Sequence, residues 1–346
     1  MDIYKSKRLD NLKYEIRGPV YEKALVLQNQ GVKNSLIEDV YIGNGVSELI
    51  SLVMTALLNV DDEVLIPSPD YPLWTTVVGL QGGKAVHYIC DEENDWNPDI
   101  IDIESKITSK TKAIVLINPN NPTGAVYTKE TVEKVVKLAE KHKLILFSDE
   151  IYDKIIYDEA KHYSAAGLSE EILIVTMGGL SKNYRAAGFR GGWMILTGAK
   201  HKAKSYIEGL NFLFSTRLCA NVITQLGIQT ALGGYQSIND LVSTDGRLAK
   251  QMNLAYTKLN AIPGVSCVKP KGALYLFPKF DLNAFTFKDD NEFVMSLLEE
   301  QKILVVGGQG FNFPQKDHFR IVFLQHVEQL TIALDKIAAH FNNHRK

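Results

Sequence analysis

The sequence has few cysteines, no long apolar run and no apolar leader. Its three cysteines, Cys90, Cys219 and Cys267, lie far apart and fit no C-x-x-C spacing, so we interpret them as small apolar residues in a reducing compartment. The longest apolar stretch, near Leu49–Leu58, is too short to span a bilayer. Residues 1–10 are charged and lack the apolar segment of a signal peptide. We therefore expect a cytoplasmic protein with no membrane contact and no metal site.

An excess of positive charge is also absent. Lys and Arg total 38 against 40 Asp and Glu, a net charge of −2, which provides no positive field for nucleic acid. The chain shows no repeat, low-complexity tract or linker. Its 346 residues, 45% apolar and 23% charged, are instead typical of a globular protein of about two domains.

Short apolar runs alternate with amphipathic stretches through the middle of the chain. The runs are rich in β-branched residues and continuous, which predicts strands covered on both faces. Six strands are predicted: Glu63–Pro67, Lys84–Ile89, Ala113–Asn118, Leu144–Ser148, Ile172–Thr176 and Gly192–Leu196. Helices are predicted at Val46–Asn59, Lys129–His142 and Lys200–Phe214. This alternation indicates an α/β fold with a mostly parallel sheet sandwiched by helices.

The final hundred residues follow a different pattern, which predicts a smaller α+β domain. Its predicted elements are a helix at about Asn253–Ala261, a strand pair at Ser266–Lys269 and Ala273–Pro278, a helix at Asn291–Gln301, a strand at His318–Leu324 and a helix at Val327–His340. We predict a large domain over residues 41–240 and a small domain formed by residues 1–40 plus 241–346.

Four polar clusters follow predicted strands, where open α/β sheets bind ligands. The first, Gly43–Glu48, begins the helix at Val46. A glycine-rich helix start directs backbone N–H groups and the positive end of the helix dipole at an anion. An ordinary glycine-containing helix cap explains the same residues equally well.

The second cluster, Asn118–Gly124, reads N-P-N-N-P-T-G. Its prolines and asparagines prevent a helix or strand from continuing and favour a rigid turn. An ordinary turn needs only one or two such residues, so we interpret an amide in this loop as a positioned hydrogen-bonding group.

The third cluster, Ser148–Tyr152, places a carboxylate at a strand end and a phenol three residues later. Asp149 and Tyr152 are suited to hold a cationic ring and its phenolic oxygen. Taken alone, an aspartate that caps a following helix is the simpler explanation.

The fourth cluster, Gly178–Gly192, contains Lys182 among small residues and Arg190 eight residues later. A lysine desolvated after a buried strand acts as an amine nucleophile, and arginine is a permanent cation suited to phosphate. A surface lysine and arginine beside a glycine-rich loop is the alternative, and the order of all four clusters argues against it.

The combination of N-P-x-N-P-T-G, D-E-x-Y and S-K-x-x-x-x-x-G-x-R resembles the class I and II aminotransferases, which are pyridoxal 5′-phosphate (PLP) enzymes of fold type I. The likeness extends over nearly the whole chain. Within that group, Asp70–Trp74 and Arg217–Tyr235 resemble the bacterial alanine (glutamate–pyruvate) aminotransferases. The resemblance implies that the large domain binds PLP.

The resemblance implies roles for individual cofactor-site residues. Lys182 would form the Schiff base with the cofactor and then move the substrate's proton, while Asp149 would pair with the ring nitrogen. The other cofactor-binding candidates are Asn121 and Tyr152 for the ring oxygen, Tyr71 for the ring face, and Val46, Ser47, Ser181 and Arg190 for the phosphate.

The resemblance also implies substrate-binding residues. Arg320 would bind the substrate α-carboxylate, with Asn121 beside it. Arg17 would receive the second carboxylate of glutamate, and Tyr14 would line the same pocket. Position alone does not exclude that Arg320 is a surface arginine on a strand. A turn that starts a helix explains Tyr14–Pro19 equally well.

Two features depart from the family pattern. Many relatives have serine where this chain has Gly179, so one phosphate contact is missing. After Gly31, a segment of several dozen residues that relatives carry is not found, and we expect the small domain to be shortened there. That segment includes a tyrosine that reaches the partner subunit's cofactor.

The predicted function is a PLP-dependent transaminase that moves an amino group between an L-amino acid, with alanine and glutamate favoured, and a 2-oxo acid such as pyruvate or 2-oxoglutarate. The reaction would be ping-pong, and the protein a homodimer with shared sites. A PLP-dependent lyase or decarboxylase, or a catalytically impaired PLP-fold protein, remains an alternative. A nicotinamide dehydrogenase is disfavoured because the Gly43 loop lacks the third glycine and a convincing preceding strand.

Overall fold

A computed structural model describes residues 2–10 and 39–346, and an eight-stranded sheet lies at its centre. The strands are β1 (Val40–Gly43), β2 (Glu63–Ser68), β3 (Lys84–Asp91), β4 (Asn97–Pro98), β5 (Thr111–Ile117), β6 (Ile145–Asp149), β7 (Leu173–Gly179) and β8 (Gly192–Gly198). Their order is β1-β8-β7-β6-β5-β2-β3-β4. Strands β2, β3, β5, β6 and β7 are mutually parallel, whereas β1, β4 and β8 form antiparallel pairs at the two edges. The prediction of a mostly parallel sheet is confirmed.

Ten helices complete the described part of the chain. They are α1 (Val46–Leu57), α2 (Leu73–Leu80), α3 (Ile100–Ser105), α4 (Lys129–His142), α5 (Lys204–Arg217), α6 (Val222–Gly233), α7 (Ile238–Val242), α8 (Arg247–Asn260), α9 (Asp290–Gln301) and α10 (Val327–Asn343). Within the described residues, none combines the length and the apolarity that crossing a membrane requires.

Helices cover both faces of the sheet because successive strand side chains point to opposite sides. On β2, Val64 and Ile66 belong to one apolar core, whereas Leu65 between them belongs to another. The first core includes α1 and α5, and the second includes the apolar stripe of α4. The buried runs of residues 64–66 in β2 and 173–175 in β7 are therefore apolar at every position.

Helix α4 begins and ends at the predicted residues because both ends carry specific signals. The Thr128 hydroxyl accepts the Thr131 N–H at the start, and Lys143 takes the left-handed conformation (φ 57°) at the end. Between them, Val132, Val135 and Ala139 face the sheet.

The C-terminal part contains small antiparallel sheets packed against α8, α9 and α10. Its strands are β9 (Val265–Ser266), β10 (Tyr275–Leu276), β11 (Lys279–Phe280), β12 (Val306–Gly307) and β13 (Phe319–Val322). Strand β13 lies between β10 and β12, and β9 pairs with β11.

The predicted domain division remains a prediction. Residues 2–10 lie against elements of the proposed large domain, with the N–H of Ile3 donating to Lys202 and that of Ser6 to Ala56.

Several local predictions were wrong. Ser266–Lys269 and Ala273–Pro278 do not pair, because β9 and β10 bond to strands later in the chain. Strands β3 and β8 are only partly buried, since each lies near an edge of the sheet. Residues 40–43 do form a strand, so the expected lack of a strand before the Gly43 loop was wrong. The missing third glycine still argues against a nicotinamide dehydrogenase.

Tyr14, Arg17 and the interval after Gly31 lie outside the described residues.

Candidate active site

The second, third and fourth clusters converge because their strands are adjacent and parallel. Ile117, at the end of β5, is the register partner of Asp149 on β6, and Asp149 is that of Met177 on β7. The loops that leave these strands therefore emerge side by side at one edge of the sheet.

Asp149 is a buried carboxylate, 3% exposed, at the end of β6. Its oxygens accept hydrogen bonds from the indole N–H of Trp74 (3.2 Å) and the backbone N–H of Ile151 (3.3 Å). Burial raises the pKa of Asp149 to about 6, even though both hydrogen bonds act in the opposite direction. No helix follows Asp149, so the capping alternative does not apply. A carboxylate in this position is stabilised by a cationic partner.

Lys182 lies three residues beyond β7 with a free amine. Its Nζ is 5.6 Å from the centre of the Tyr152 ring. Among residues 2–10 and 39–346, no hydrogen bond or ion pair engages this nitrogen. The Lys182 cation is nevertheless close enough to Asp149 to favour its ionised form. The site therefore holds an uncommitted amine beside a buried acid.

The first cluster meets the fourth through the pairing of β1 with β8, which places Gly43 opposite Gly192. A Cβ on Gly192 would lie 2.6 Å from the backbone nitrogen of Val46, and Gly45 (φ 83°) leaves no room for a side chain beside the Arg190 guanidinium. These glycines bring Arg190 to the first turn of α1, where Val46 and Ser47 have free backbone N–H groups.

The Arg190 guanidinium also contacts polar oxygens around this helix start. It donates to Ser181 Oγ (3.4 Å), the Asn44 carbonyl (3.4 Å) and the Ala187 carbonyl (2.6 Å). A helix N-terminus, an arginine and a serine hydroxyl together form an anion-binding cradle.

Arg320, on β13, enters the site from the C-terminal part of the chain. Its Nη1 donates to Asn121 Oδ1 at 3.0 Å, and its guanidinium carbon lies 4.6 Å from the ring centres of both Tyr275 and Phe311. Its Nε is buried without a hydrogen-bond partner among the described residues. Burial lowers the pKa of Arg320, yet arginine keeps its charge at neutral pH. Among residues 2–10 and 39–346, Arg320 therefore has no carboxylate partner and keeps unused donors, as binding of a carboxylate ligand requires.

Tyr152 is buried, and its hydroxyl lies 2.6 Å from that of Tyr275. Burial beside Tyr275 raises the pKa of Tyr152, which favours the phenol as a hydrogen-bond donor. Tyr71 is 37% exposed just before α2 and interacts electrostatically with Arg320.

The structure therefore brings Lys182, Asp149, Tyr152, Asn121 and Arg320 together, with the cradle of Val46, Ser47, Ser181 and Arg190 beside them. Sequence reasoning missed the roles of Trp74 and Tyr275. Trp74 stands in the D-Y-P-L-W run that already drew attention, but nothing near Tyr275 in the sequence signals its contact with Tyr152.

A lysine amine, a buried carboxylate and an anion cradle at the strand ends of a mostly parallel sheet define an α/β transferase of fold type I. Residues 20–337 match the family model of the class I and II aminotransferases. The chain belongs to this family, whose members depend on PLP.

Individual relatives agree with the family assignment. The glutamate–pyruvate aminotransferase AlaA of Haemophilus influenzae is 57% identical over 94% of this chain and 81% of its own length. The alanine aminotransferase of Mycobacterium bovis is 55% identical over 90% of this chain and 72% of its own length. A crystal structure of an Escherichia coli aminotransferase superposes with a TM-score of 0.88, at 47% identity and with all of both chains covered.

Proposed function

We propose that the chain is a PLP-dependent transaminase that exchanges amino groups among alanine, glutamate, pyruvate and 2-oxoglutarate. The observation that carries this proposal is the Lys182 amine, which has no hydrogen bond or ion pair among the described residues and lies near Tyr152 and the buried Asp149 carboxylate. A binding protein without chemistry has no need of an unpaired lysine beside a buried acid.

The residues fit the cofactor group by group. A phosphate matches the cradle at the start of α1, whose glycines keep the backbone N–H groups of Val46 and Ser47 accessible beside Arg190. A protonated ring nitrogen matches Asp149, because a cationic partner offsets the cost of burying the carboxylate. The phenolic oxygen of the ring matches the Tyr152 hydroxyl and the Asn121 amide, and Tyr71 would pack on the ring face.

When bound, PLP supplies an electron sink for the pair released as the substrate Cα–H bond breaks. Asp149 would pair with the ring nitrogen and keep it protonated. The Lys182 amine would hold the cofactor and, when free, would act as the base that moves the proton of the substrate Cα. Because no described residue hydrogen-bonds or pairs with it, the amine would be able to move between these positions.

Arg320 and Asn121 orient the substrate. The guanidinium is fixed by its contact with Asn121 and by the two aromatic rings, so two of its donors reach a carboxylate without reorganisation. This arrangement accepts the α-carboxylate of any amino acid. The proposed choice of alanine and glutamate therefore rests on the likeness to the alanine aminotransferases and not on these residues.

The activity is tested by mixing the PLP-loaded protein with L-alanine and 2-oxoglutarate and measuring pyruvate and glutamate. We expect both products in equal amounts, because each amino group leaving alanine must appear on the acceptor. Without 2-oxoglutarate a ping-pong transaminase forms at most one pyruvate per PLP site, so ammonia release or repeated pyruvate turnover without the acceptor would favour the lyase alternative, and carbon dioxide release would favour a decarboxylase. A protein that binds PLP but forms no product would be the catalytically impaired alternative.

We further propose that the protein is a cytoplasmic homodimer with residues 41–240 as the cofactor-binding domain. Helix α6 supports the dimer because it exposes apolar side chains to water in the single chain, and a second copy would cover them. Ile223 is 83% and Leu226 66% exposed. The helix also borders the cradle, since the Thr224 hydroxyl donates to the carbonyl of Phe189 at 2.6 Å. A second copy packed on α6 would thus lie next to the phosphate site.

Replacing Ile223 by aspartate is expected to convert the dimer to a monomer, because a buried unpaired carboxylate opposes association. Sedimentation velocity measures this change. Ile101→Asp is the matched control, since Ile101 is 82% exposed at the start of α3, a helix that packs on α4 and β3. If Ile223→Asp sediments as the wild type does, α6 is not the interface.

A further inference from the structure

A histidine–glutamate cluster lies where the C-terminal ends of α9 and α10 meet, on elements that the transaminase site does not use. Glu300 is near the end of α9, and His340 and His344 are one turn apart at the end of α10. His340 Nδ1 lies 3.3 Å from Glu300 Oε2, and His344 Nε2 lies 3.2 Å from Glu300 Oε1. The two nitrogens and a carboxylate oxygen all lie within 4.8 Å of one another.

Hydrogen bonds on the far side of His340 determine which of its nitrogens is free. The Ser296 hydroxyl donates to the carbonyl of Phe293 (3.0 Å), so at its 2.9 Å contact with His340 Nε2 it accepts the ring N–H. The opposite nitrogen, Nδ1, therefore directs a lone pair at Glu300. The His340 side chain is fully buried, and Nδ1 has no hydrogen-bond partner among the described residues.

His344 is arranged in the same way. Its Nδ1 lies 3.0 Å from the carbonyl of His340 and donates to it, which leaves the lone pair of Nε2 directed at Glu300. The ring of Phe287 stacks on both imidazoles, at 5.5 Å from His340 and 4.9 Å from His344. Each histidine thus has one nitrogen held by a hydrogen-bond partner and its other nitrogen directed into the same space, as metal-binding histidines do.

Two lone pairs and a carboxylate that converge repel one another unless a cation lies between them. Each of the two distances, 3.3 Å from His340 Nδ1 to Oε2 and 3.2 Å from His344 Nε2 to Oε1, joins a nitrogen to a different Glu300 oxygen and is close to the separation of about 3.3 Å between two tetrahedral ligands of zinc at ~2.0–2.1 Å from the metal.

We propose that His340 Nδ1, His344 Nε2 and the Glu300 carboxylate bind a divalent transition-metal cation of the zinc class. Imidazole nitrogens select such ions over Mg²⁺ and Ca²⁺, which prefer oxygen ligands. Three protein ligands leave a fourth position for water, on the side where Glu300 is exposed. The metal would join α9 to α10. Both helices pack on β13, since Phe293 of α9 and Phe341 of α10 contact Phe319. The expected role of the metal is therefore structural.

The test is zinc binding by the protein after dialysis against a chelator, followed in competition with a chromophoric chelator. We expect the wild type to bind one Zn²⁺ per chain, and His344→Ala and Glu300→Gln to bind it at least ~10-fold more weakly. Glu299→Gln is the matched control, since Glu299 is the exposed neighbour of Glu300 and should leave affinity unchanged. Thermal unfolding without metal checks that each variant is folded.

Two further readouts separate this site from adventitious binding. Zinc should raise the Tm of the wild type and of Glu299→Gln, but not that of His344→Ala, because a ligand that binds only the folded state stabilises it. Co²⁺ at this site should give visible absorption that His344→Ala lacks. The proposal is wrong if the wild type binds no zinc, or if His344→Ala or Glu300→Gln binds it as tightly as the wild type does. The test does not depend on transaminase activity, since the site shares no residue with the proposed active site.

Discussion

Replacing Lys182 by alanine is expected to abolish transamination, with a fall in kcat of about four orders of magnitude. In the proposed function the amine both holds the cofactor and carries the substrate proton. Among the described residues, Lys182 is the lysine that lies near both Tyr152 and Asp149. The visible absorbance that the cofactor acquires on attachment to the protein should disappear as well. Lys182→Arg should be equally inactive, because a guanidinium keeps its proton and cannot act as a base.

Lys154 supplies the matched control for this substitution. It is also half-buried over a tyrosine ring, with its Nζ 5.1 Å from the ring centre of Tyr184. Its amine is engaged by the Tyr184 hydroxyl and the Gln236 side chain, whereas that of Lys182 is not. Lys154→Ala should therefore keep both the absorbance and the activity. A visible band that persists in Lys182→Ala would show that another residue holds the cofactor.

Local signals explain why much of the fold was predictable from sequence. The strands β2, β5, β6 and β7 are buried on both faces, so their apolar runs are continuous and bounded by polar residues. The strand-end clusters were then brought together by a general property of parallel sheets, in which the carboxyl ends share one edge. The grouping of Asn121, Asp149 and Lys182 followed from strand positions alone.

Long-range contacts explain what the sequence did not reveal. Trp74 reaches Asp149 from 75 residues away, and Tyr275 reaches Tyr152 from 123 residues away. Strands β9 and β10 are two residues long, and their partners are chosen by packing rather than by a turn between them. Side-chain periodicity carries no information about such pairings.

The cluster of Glu300, His340 and His344 also depends on contacts between residues distant in the sequence, which the sequence did not reveal. The predicted helix ended at His340, so His344 lay outside it; the observed helix runs to Asn343 and places the two rings one turn apart. Glu300 comes from a different helix, and the hydrogen bonds that direct the free nitrogens depend on Ser296 and a backbone carbonyl. Only the packing of α9 on α10 brings these groups together, which is why the sequence predicted no metal site.

Replacing Arg320 by lysine is expected to lower kcat/KM for alanine and for glutamate by about 10²–10³-fold while cofactor binding is retained. Lysine keeps the charge but not the planar pair of donors, and it cannot fill the space between the rings of Tyr275 and Phe311 as a guanidinium does. Steady-state kinetics with both amino acids, together with the visible spectrum of the bound cofactor, measure the two effects separately.

Arg345→Lys is the control for Arg320→Lys, because Arg345 also lies over an aromatic ring, at 5.9 Å from the centre of Phe285, and is exposed at the end of the chain. It should leave kcat/KM unchanged. Equal losses for both amino acids follow if Arg320 binds the α-carboxylate, which they share. A loss confined to glutamate would instead place its side-chain carboxylate on Arg320 and contradict the assignment. A loss of the cofactor spectrum in Arg320→Lys would mean that the arginine supports the cofactor pocket through Asn121 rather than the substrate.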